Sequence, residues 1–437
     1  MRDYRPHLNS LNSSKLTRIS QNLKTIYLAA PNKKKRMETV YVIDAVRTAI
    51  GRYGGALSTI RPDDLLAKVI EALIKRNGKI DVNEIEDVIA GDANQAGEDN
   101  RNVARMSALL AGLPVTVAGN TVNRLCASGM QAIMDASRAM MVGDGNIFLA
   151  GGVESMSRAP FVMGKSEGAF SRKAEIFDST IGWRFPNKKL VEKYYPYSMG
   201  ETAENVAKQW KISRHAQDEF AFESQQKYFL ALAAGKWKDE IIPIEITPNK
   251  TERIIFDTDE HPRKSSLEKL SQLRPAFVKD GTVTAANSSG INDGAAMLML
   301  ANESIVKKYE LKPMAKVVSM GVAGVDPSIM GIGPVAATRK ALSRGGLSIS
   351  DLDLIELNEA FASQSIACIH ELGLDLQKVN VNGGSIAIGH PLGCSGARIT
   401  TTLLHEMQRR GSRYGLATMC VGVGQGAAMI FENYFRK

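Results

Sequence analysis

The chain has 437 residues, is 44% hydrophobic and carries a formal charge of +9, which is enough for one large core or two of medium size. Its four cysteines, Cys126, Cys368, Cys394 and Cys420, are too few for a disulfide framework and form no CxxC pair, which reads as a reducing compartment with no structural zinc. No apolar run reaches the roughly 18 residues of a bilayer span.

Most of the charge sits at the front. Residues 1–36 hold nine basic residues against one acid, Asp3, and so account for +8 of the +9. The nearly neutral remainder argues against a nucleic-acid partner. The segment is rich in Ser, Asn and Lys and ends in "PNKKKR". It reads as a flexible basic extension, the product either of a start upstream of Met37 or of a targeting peptide. "METVYVIDAVRTAIG" then opens as a first strand.

A repeat follows at an offset of 267 residues. Glu84 to Ile89 align with Asp351 to Glu356, Ser128 and Gly129 with Ser395 and Gly396, and Leu149 and Ala150 with Leu416 and Ala417. In each copy a short apolar strand, a Gly-rich loop, a helix and a second strand follow one another. The first copy runs Val88 to Gly91, then 127–142, then Ile147 to Gly151; the second runs Leu354 to Leu357, then 394–409, then Leu416 to Cys420. The spacing predicts βαβ units in a layered α/β protein of two similar halves, with equivalent loop ends meeting near a pseudo-twofold axis.

Between the copies, 156–285 changes composition. It concentrates aromatic and basic residues, among them Lys165, Arg172, Trp183, Arg184 and Tyr197, and its stretch "ETAENVAKQWKISRHAQDEFAFESQQKYFLALAAGKW" carries apolar residues at helical spacing. It reads as an insertion.

Reactive residues among glycines stand in "NRLCASGM" (Cys126), "LNEAFASQ" (Asn358), "NVNGGSIAIGHPLGCSGAR" (His390) and "MCVGVGQG" (Cys420). Taken singly, each has a structural explanation: a packed cysteine, a cap, a turn. Together they fit covalent acyl transfer. A cysteine at a helix start feels the helix dipole, which favours thiolate, a histidine can take its proton, and backbone amides of glycine loops can bind an oxyanion.

The strings "NRLCASGMQAI", "GGVESMSRAPFVM", "NSSGINDGAA", "NEAFASQ", "NGGSIAIGHPLGCSGAR" and "CVGVGQGAAM" occur in the order of the thiolase family, and the chain resembles that family over 37–437. The resemblance implies an α/β thiolase fold, with two similar βαβ-type halves in a five-layered αβαβα arrangement and an inserted loop domain that binds coenzyme A. The halves are expected at 37–155, completed by 286–305, and at 306–437, with the loop domain at 156–285.

By the same resemblance Cys126 is the acyl-accepting nucleophile, His390 activates it, and Cys420 handles the proton on the acetyl methyl carbon. Asn358 orients a water that with His390 forms one oxyanion hole; the backbone amides of Cys126 and Gly422 form the other. Ser289, Met199 and Met330 are expected at the coenzyme A substrate. No metal or cofactor is implied, since coenzyme A thioesters are substrates, and the family assembles as homodimers or homotetramers. A cytoplasmic location is expected, or an organelle if 1–36 is a targeting segment.

"NQAGEDNRNVARMSALLAGLP", "SRAPFVMGK" and "TIGWRF" resemble 3-oxoadipyl-CoA thiolases, whereas "AENVAKQWKISRHAQDEFA", "LRPAF" and "VDPSIMGIGPV" resemble short-chain acetoacetyl-CoA thiolases equally. Where many biosynthetic enzymes read His-Met-Gly, this chain reads Ser198, Met199, Gly200. That departure favours the degradative acyltransferase branch over a biosynthetic acetoacetyl-CoA thiolase. Condensing enzymes of fatty-acid synthesis pair Cys with two His, and Cys420 in the second position speaks against them. A non-catalytic acyl-binding relative would have lost one of the four residues.

Overall fold

The computed structural model describes residues 37–166, 168–247 and 253–434; the basic extension expected over 1–36 lies outside them. The first half runs β1 (Val40–Thr48), α1 (Pro62–Arg76), β2 (Ile85–Gly91), α2 (Val103–Leu110), β3 (Ala118–Val122), α3 (Ser128–Met141) and β4 (Ile147–Ser155). The chain then passes through α4 (Met199–Gln209) and α5 (Arg214–Ala233) before returning as β5 (Asn292–Asn302). The second half follows as β6 (Ala315–Gly324), α6 (Gly333–Gly345), β7 (Leu354–Leu357), α7 (Ala362–Leu372), α8 (Leu392–Arg410), β8 (Tyr414–Val421) and β9 (Gln425–Asn433).

Local sequence accounts for these elements. In α1, Pro62 opens the helix, Asp63 and Asp64 occupy its first turn and Lys75 and Arg76 its last, so proline, acids and bases all stand where the free amides and carbonyls of a helix favour them. Strand β4, IFLAGGVES, is buried along its whole length, as a strand covered on both faces must be. The stretch with helical spacing is helical, in two helices, α4 and α5, separated at Trp210 to Ser213. Lys211 takes a positive φ of 54°, and Ser213 restarts the helix by accepting a hydrogen bond from the Ala216 amide.

The order of strands is β7-β8-β9-β6-β1-β5-β4-β2-β3. Read outward from the β6–β1 junction, each half repeats the same arrangement. Only two residue pairs, Tyr41 with Lys316 and Val42 with Ala315, join the halves at that junction. Helices α1 and α2 cover one face of the first half, and α6 and α7 cover the opposite outer face of the second. Helices α3 and α8 pack against each other and against strands of both halves, with Met130, Ile133, Leu403 and Leu404 set among Ala150, Leu298, Met419 and Phe431. The resulting layers are α, β, α, β, α. The repeat register holds in the strands, since Ile147 and Tyr414 begin β4 and β8, while α8 starts three residues earlier than its counterpart, so that Ser128 is first in α3 and Ser395 fourth in α8.

Candidate active site

Cys126 sits in the turn that feeds α3. The Ser128 hydroxyl accepts from the Arg124 amide at 2.9 Å and donates to the Leu125 carbonyl at 2.6 Å. The Asn123 side chain accepts from the Leu125 amide at 2.8 Å. These bonds close the turn around Cys126 and hold Leu125 at a φ of 47°. Across the cavity, Val423 has a φ of 61° directly after Gly422, a costly conformation for a β-branched residue. Strained backbone therefore stands on both sides of the sulfur, and the amides of Gly422 and of Cys126 itself hydrogen-bond to it.

The helix-start argument for a thiolate at Cys126 is overturned. Burial outweighs the two amides and pushes the thiol up to about 11, and Ala127, not the cysteine, is the cap of α3. At neutral pH the sulfur carries its proton and needs a base. Cys420, in β8, is a second thiol close enough to interact electrostatically with Cys126, and burial raises it well above the usual thiol range.

His390 follows Gly389, whose φ of +113° and close approach to the Asn292 side chain leave no space for a Cβ. The Asn292 carbonyl oxygen accepts from the His390 amide at 2.9 Å. The Ser395 hydroxyl donates to the Pro391 carbonyl at 2.8 Å and lies 2.6 Å from His390 Nδ1. With its one proton so used, the hydroxyl must accept from Nδ1–H, which leaves Nε2 as a bare acceptor. Burial, followed by the Arg398 charge, lowers His390 to about 3, so the ring is a neutral base.

Asn358 Nδ2 lies 3.4 Å from His390 Nε2. Its orientation is set from behind: Ser385 Oγ donates to Asn358 Oδ1 at 2.5 Å and accepts from Arg398 Nη2 at 2.5 Å. Arg398 is buried 3.9 Å from Glu356, its Nε and Nη1 lack hydrogen-bond partners, and burial lifts Glu356 to about 8.

A cavity of about 280 Å³ opens onto Cys126, Gly422 and Met199. His390, Asn358 and Cys420 are buried and are not among the residues that line it. Met330 packs on Cys420 together with Phe361 and Met199, while Ser289 is tied through its amide and hydroxyl to the Ala360 carbonyl, at 3.0 and 3.1 Å, outside the cavity wall. Sequence reasoning passed over Ser385, Ser395 and Arg398, although all three lie in the string that carries His390. It also passed over Glu154, which accepts from the amides of Ala93 and Gly393 at 2.9 and 2.8 Å and lines the same cavity. Burial pushes Glu154 up to about 7 despite those amides. Its signal was a carboxylate at the end of a fully apolar strand.

A neutral thiol, a neutral imidazole, a second thiol and two converging amides can perform acyl transfer through a thioester. Comparison with known proteins agrees. Residues 40–304 match the family "Thiolase, N-terminal domain" and residues 311–433 match "Thiolase, C-terminal domain". The 3-oxoadipyl-CoA/3-oxo-5,6-dehydrosuberyl-CoA thiolase of Escherichia coli K12 is 54% identical over 400 residues, covering 91% of this chain and all of that protein. A beta-ketoadipyl-CoA thiolase of Pseudomonas aeruginosa is 55% identical over 397 residues, covering 90% of this chain and 99% of the relative. Among solved structures, the acetyl-CoA acetyltransferase of Bacillus anthracis superposes with a TM-score of 0.86 at 44% identity, covering 91% of this chain and 99% of that one.

Proposed function

The chain belongs to the thiolase family, which makes it an acyltransferase, and from that premise we propose that it cleaves short dicarboxylic 3-ketoacyl-CoA thioesters, 3-oxoadipyl-CoA foremost, through an acyl-enzyme on Cys126. The observation that carries this reading is the sulfur of Cys126, beside Cys420 and faced by the amides of Gly422 and of Cys126 itself. The substrate assignment rests on the names of the similar thiolases.

Cys126 gives its proton to Nε2 of His390 as its sulfur bonds to C3 of the substrate, and the C3 oxyanion rests on the amides of Cys126 and Gly422. The C2–C3 bond breaks with its electron pair going to C2, and the Cys420 thiol protonates that carbon, releasing acetyl-CoA. Asn358, through a water, and His390 hold the enolate oxygen. A second coenzyme A then gives its proton to the Cys420 thiolate, its sulfur takes the acyl group, and Cys126 leaves and recovers the proton from His390. Reversal of these steps joins acetyl-CoA to the acyl group held on Cys126; with an acetyl group there, it would join two acetyl-CoA molecules.

We assign most coenzyme A contacts to the inserted segment 156–285, Met199 among them, with Ser289 and Met330 beyond it, and assign no metal or redox cofactor to the reaction. The nucleophile must stay reduced, and all four cysteines are free, which favours a cytoplasmic site of action. Among the described residues no helix is long and apolar enough to cross a membrane. Among the described residues strand β3 ends the sheet with its outer edge unpaired, a surface suited to pairing in a homodimer or homotetramer.

Labelled acetyl-CoA followed by peptide mass analysis is expected to place the acetyl group on Cys126. Labelling that persists in Cys126→Ala refutes the acyl-enzyme. Thiolysis of 3-oxoadipyl-CoA is expected to exceed that of acetoacetyl-CoA and of a long-chain 3-ketoacyl-CoA in kcat/KM; a preference for acetoacetyl-CoA would favour the biosynthetic reading.

A further inference from the structure

Among the described residues, the cavity in front of Cys126 is lined by one cation, Arg184. Among the described residues that line it only Glu154 and Arg184 bear a carboxyl or a guanidinium group, and burial pushes Glu154 up to about 7, so that it is only partly ionised at neutral pH. Arg184 belongs to "TIGWRF", a stretch the catalytic steps leave unused. Its guanidinium donates to the carbonyls of Ser179 at 3.0 Å and Asn94 at 3.5 Å, and among the described residues it forms no ion pair with a carboxylate. An arginine has five N–H donors in a planar fork, so beyond these two hydrogen bonds a cavity-lining guanidinium keeps donors without a partner among the described residues.

The segment is held in place. Ser179 donates from both its amide and its hydroxyl to the Pro160 carbonyl, at 3.2 and 2.5 Å. The Trp183 indole donates to the Tyr197 carbonyl at 3.0 Å, and Phe185 packs edge-on against Phe177 with ring centroids 4.9 Å apart. The rest of the wall is neutral: Leu125, Ile181, Trp183, Met199, Leu392 and Val423 supply its apolar surface. A fixed cation in a small, mostly apolar space that also holds the nucleophile discriminates among acyl groups by their far end.

We propose that Arg184 is a specificity-determining residue, binding the terminal carboxylate of the acyl group while its carbonyl carbon is attached to Cys126. The inference rests on the dicarboxylic reading given above and names the group that makes it. In the succinyl-enzyme left by 3-oxoadipyl-CoA the free carboxylate stands two methylenes beyond the thioester carbon, short enough to stay within the cavity. A guanidinium can take it by two parallel hydrogen bonds. Coenzyme A also brings phosphates, but these are common to every substrate.

The test compares 3-oxoadipyl-CoA with 3-oxohexanoyl-CoA, which has the same chain length and a methyl in place of the carboxylate. In Arg184→Gln the ratio of their kcat/KM values is expected to fall roughly a hundredfold, and Arg184→Lys to recover part of it, since the charge remains but the fork is lost. A ratio that moves less than tenfold in Arg184→Gln overturns the inference, because a phosphate contact or a structural role would change both substrates alike. Wild-type protein that does not prefer 3-oxoadipyl-CoA over 3-oxohexanoyl-CoA would instead remove the dicarboxylic reading itself, and the inference with it.

Discussion

At the scale of single residues the groups proposed to be catalytic are uncharged at rest, and this has a cost under acid. His390 titrates at 6.5 in an unfolded chain and at about 3 in the fold. Between those values the unfolded chain binds a proton that the folded one does not, so stability falls as pH falls from 6.5 toward 3. At about 1.4 kcal/mol per pH unit, the group takes away about 2.5 kcal/mol between pH 6.5 and 4.5. His390→Asn is therefore expected to lose that much less stability over this range in urea titrations, whatever its stability at neutral pH; an unchanged slope would place the acid sensitivity elsewhere. The four residues proposed to react could be picked out because each stands in a distinctive string. Ser385, Ser395 and Arg398 were not, since their roles come from partners across the fold. The charge state of Cys126 was misread for a related reason: the helix start is local and visible, but the burial that outweighs it is not.

At the scale of elements, the contact between α3 and α8 sets the position of the nucleophile. A Cβ on Gly129 would stand 2.7 Å from the Gly393 carbonyl, and one on Gly396 would stand 2.3 Å from the Met130 amide. Each glycine thus admits the backbone of the opposite helix. Gly396→Ala is expected to destabilise the protein by about 2 kcal/mol through overpacking and to lower kcat, because the displaced turn of α3 follows directly on Cys126. Calorimetry and steady-state kinetics would check both, and unchanged values would show that the helices can separate freely. This pair was legible, since the repeat register joins Gly129 to Gly396 before any coordinates are known. The break between α4 and α5 was not, because apolar spacing continues across Lys211 while its backbone turns left-handed.

At the scale of the whole molecule, the +8 carried by residues 1–36 stands apart from a nearly neutral remainder, and the Escherichia coli relative matches in full over 400 residues of this chain. Protein beginning at Met37 is expected to keep its kinetic constants and its elution volume on gel filtration; a loss of either would make the segment part of the working enzyme. The two-half architecture was legible from one repeat register, whereas the narrow β1–β6 junction was not, since strand edges carry no mark in sequence. The shared middle layer bears on the ancestry of the chain. Neither half covers its own inner sheet face without a helix from the other, so a precursor of one repeat would have had to pair with its own copy to fold. Such a pair would have held two equal half-sites. In the present chain the same offset sets Cys126 opposite Gly393, Asn123 opposite His390, and Gly91 opposite Asn358. At matched positions the two repeats therefore bring different residue types to one cleft, each supplying chemistry that the other lacks.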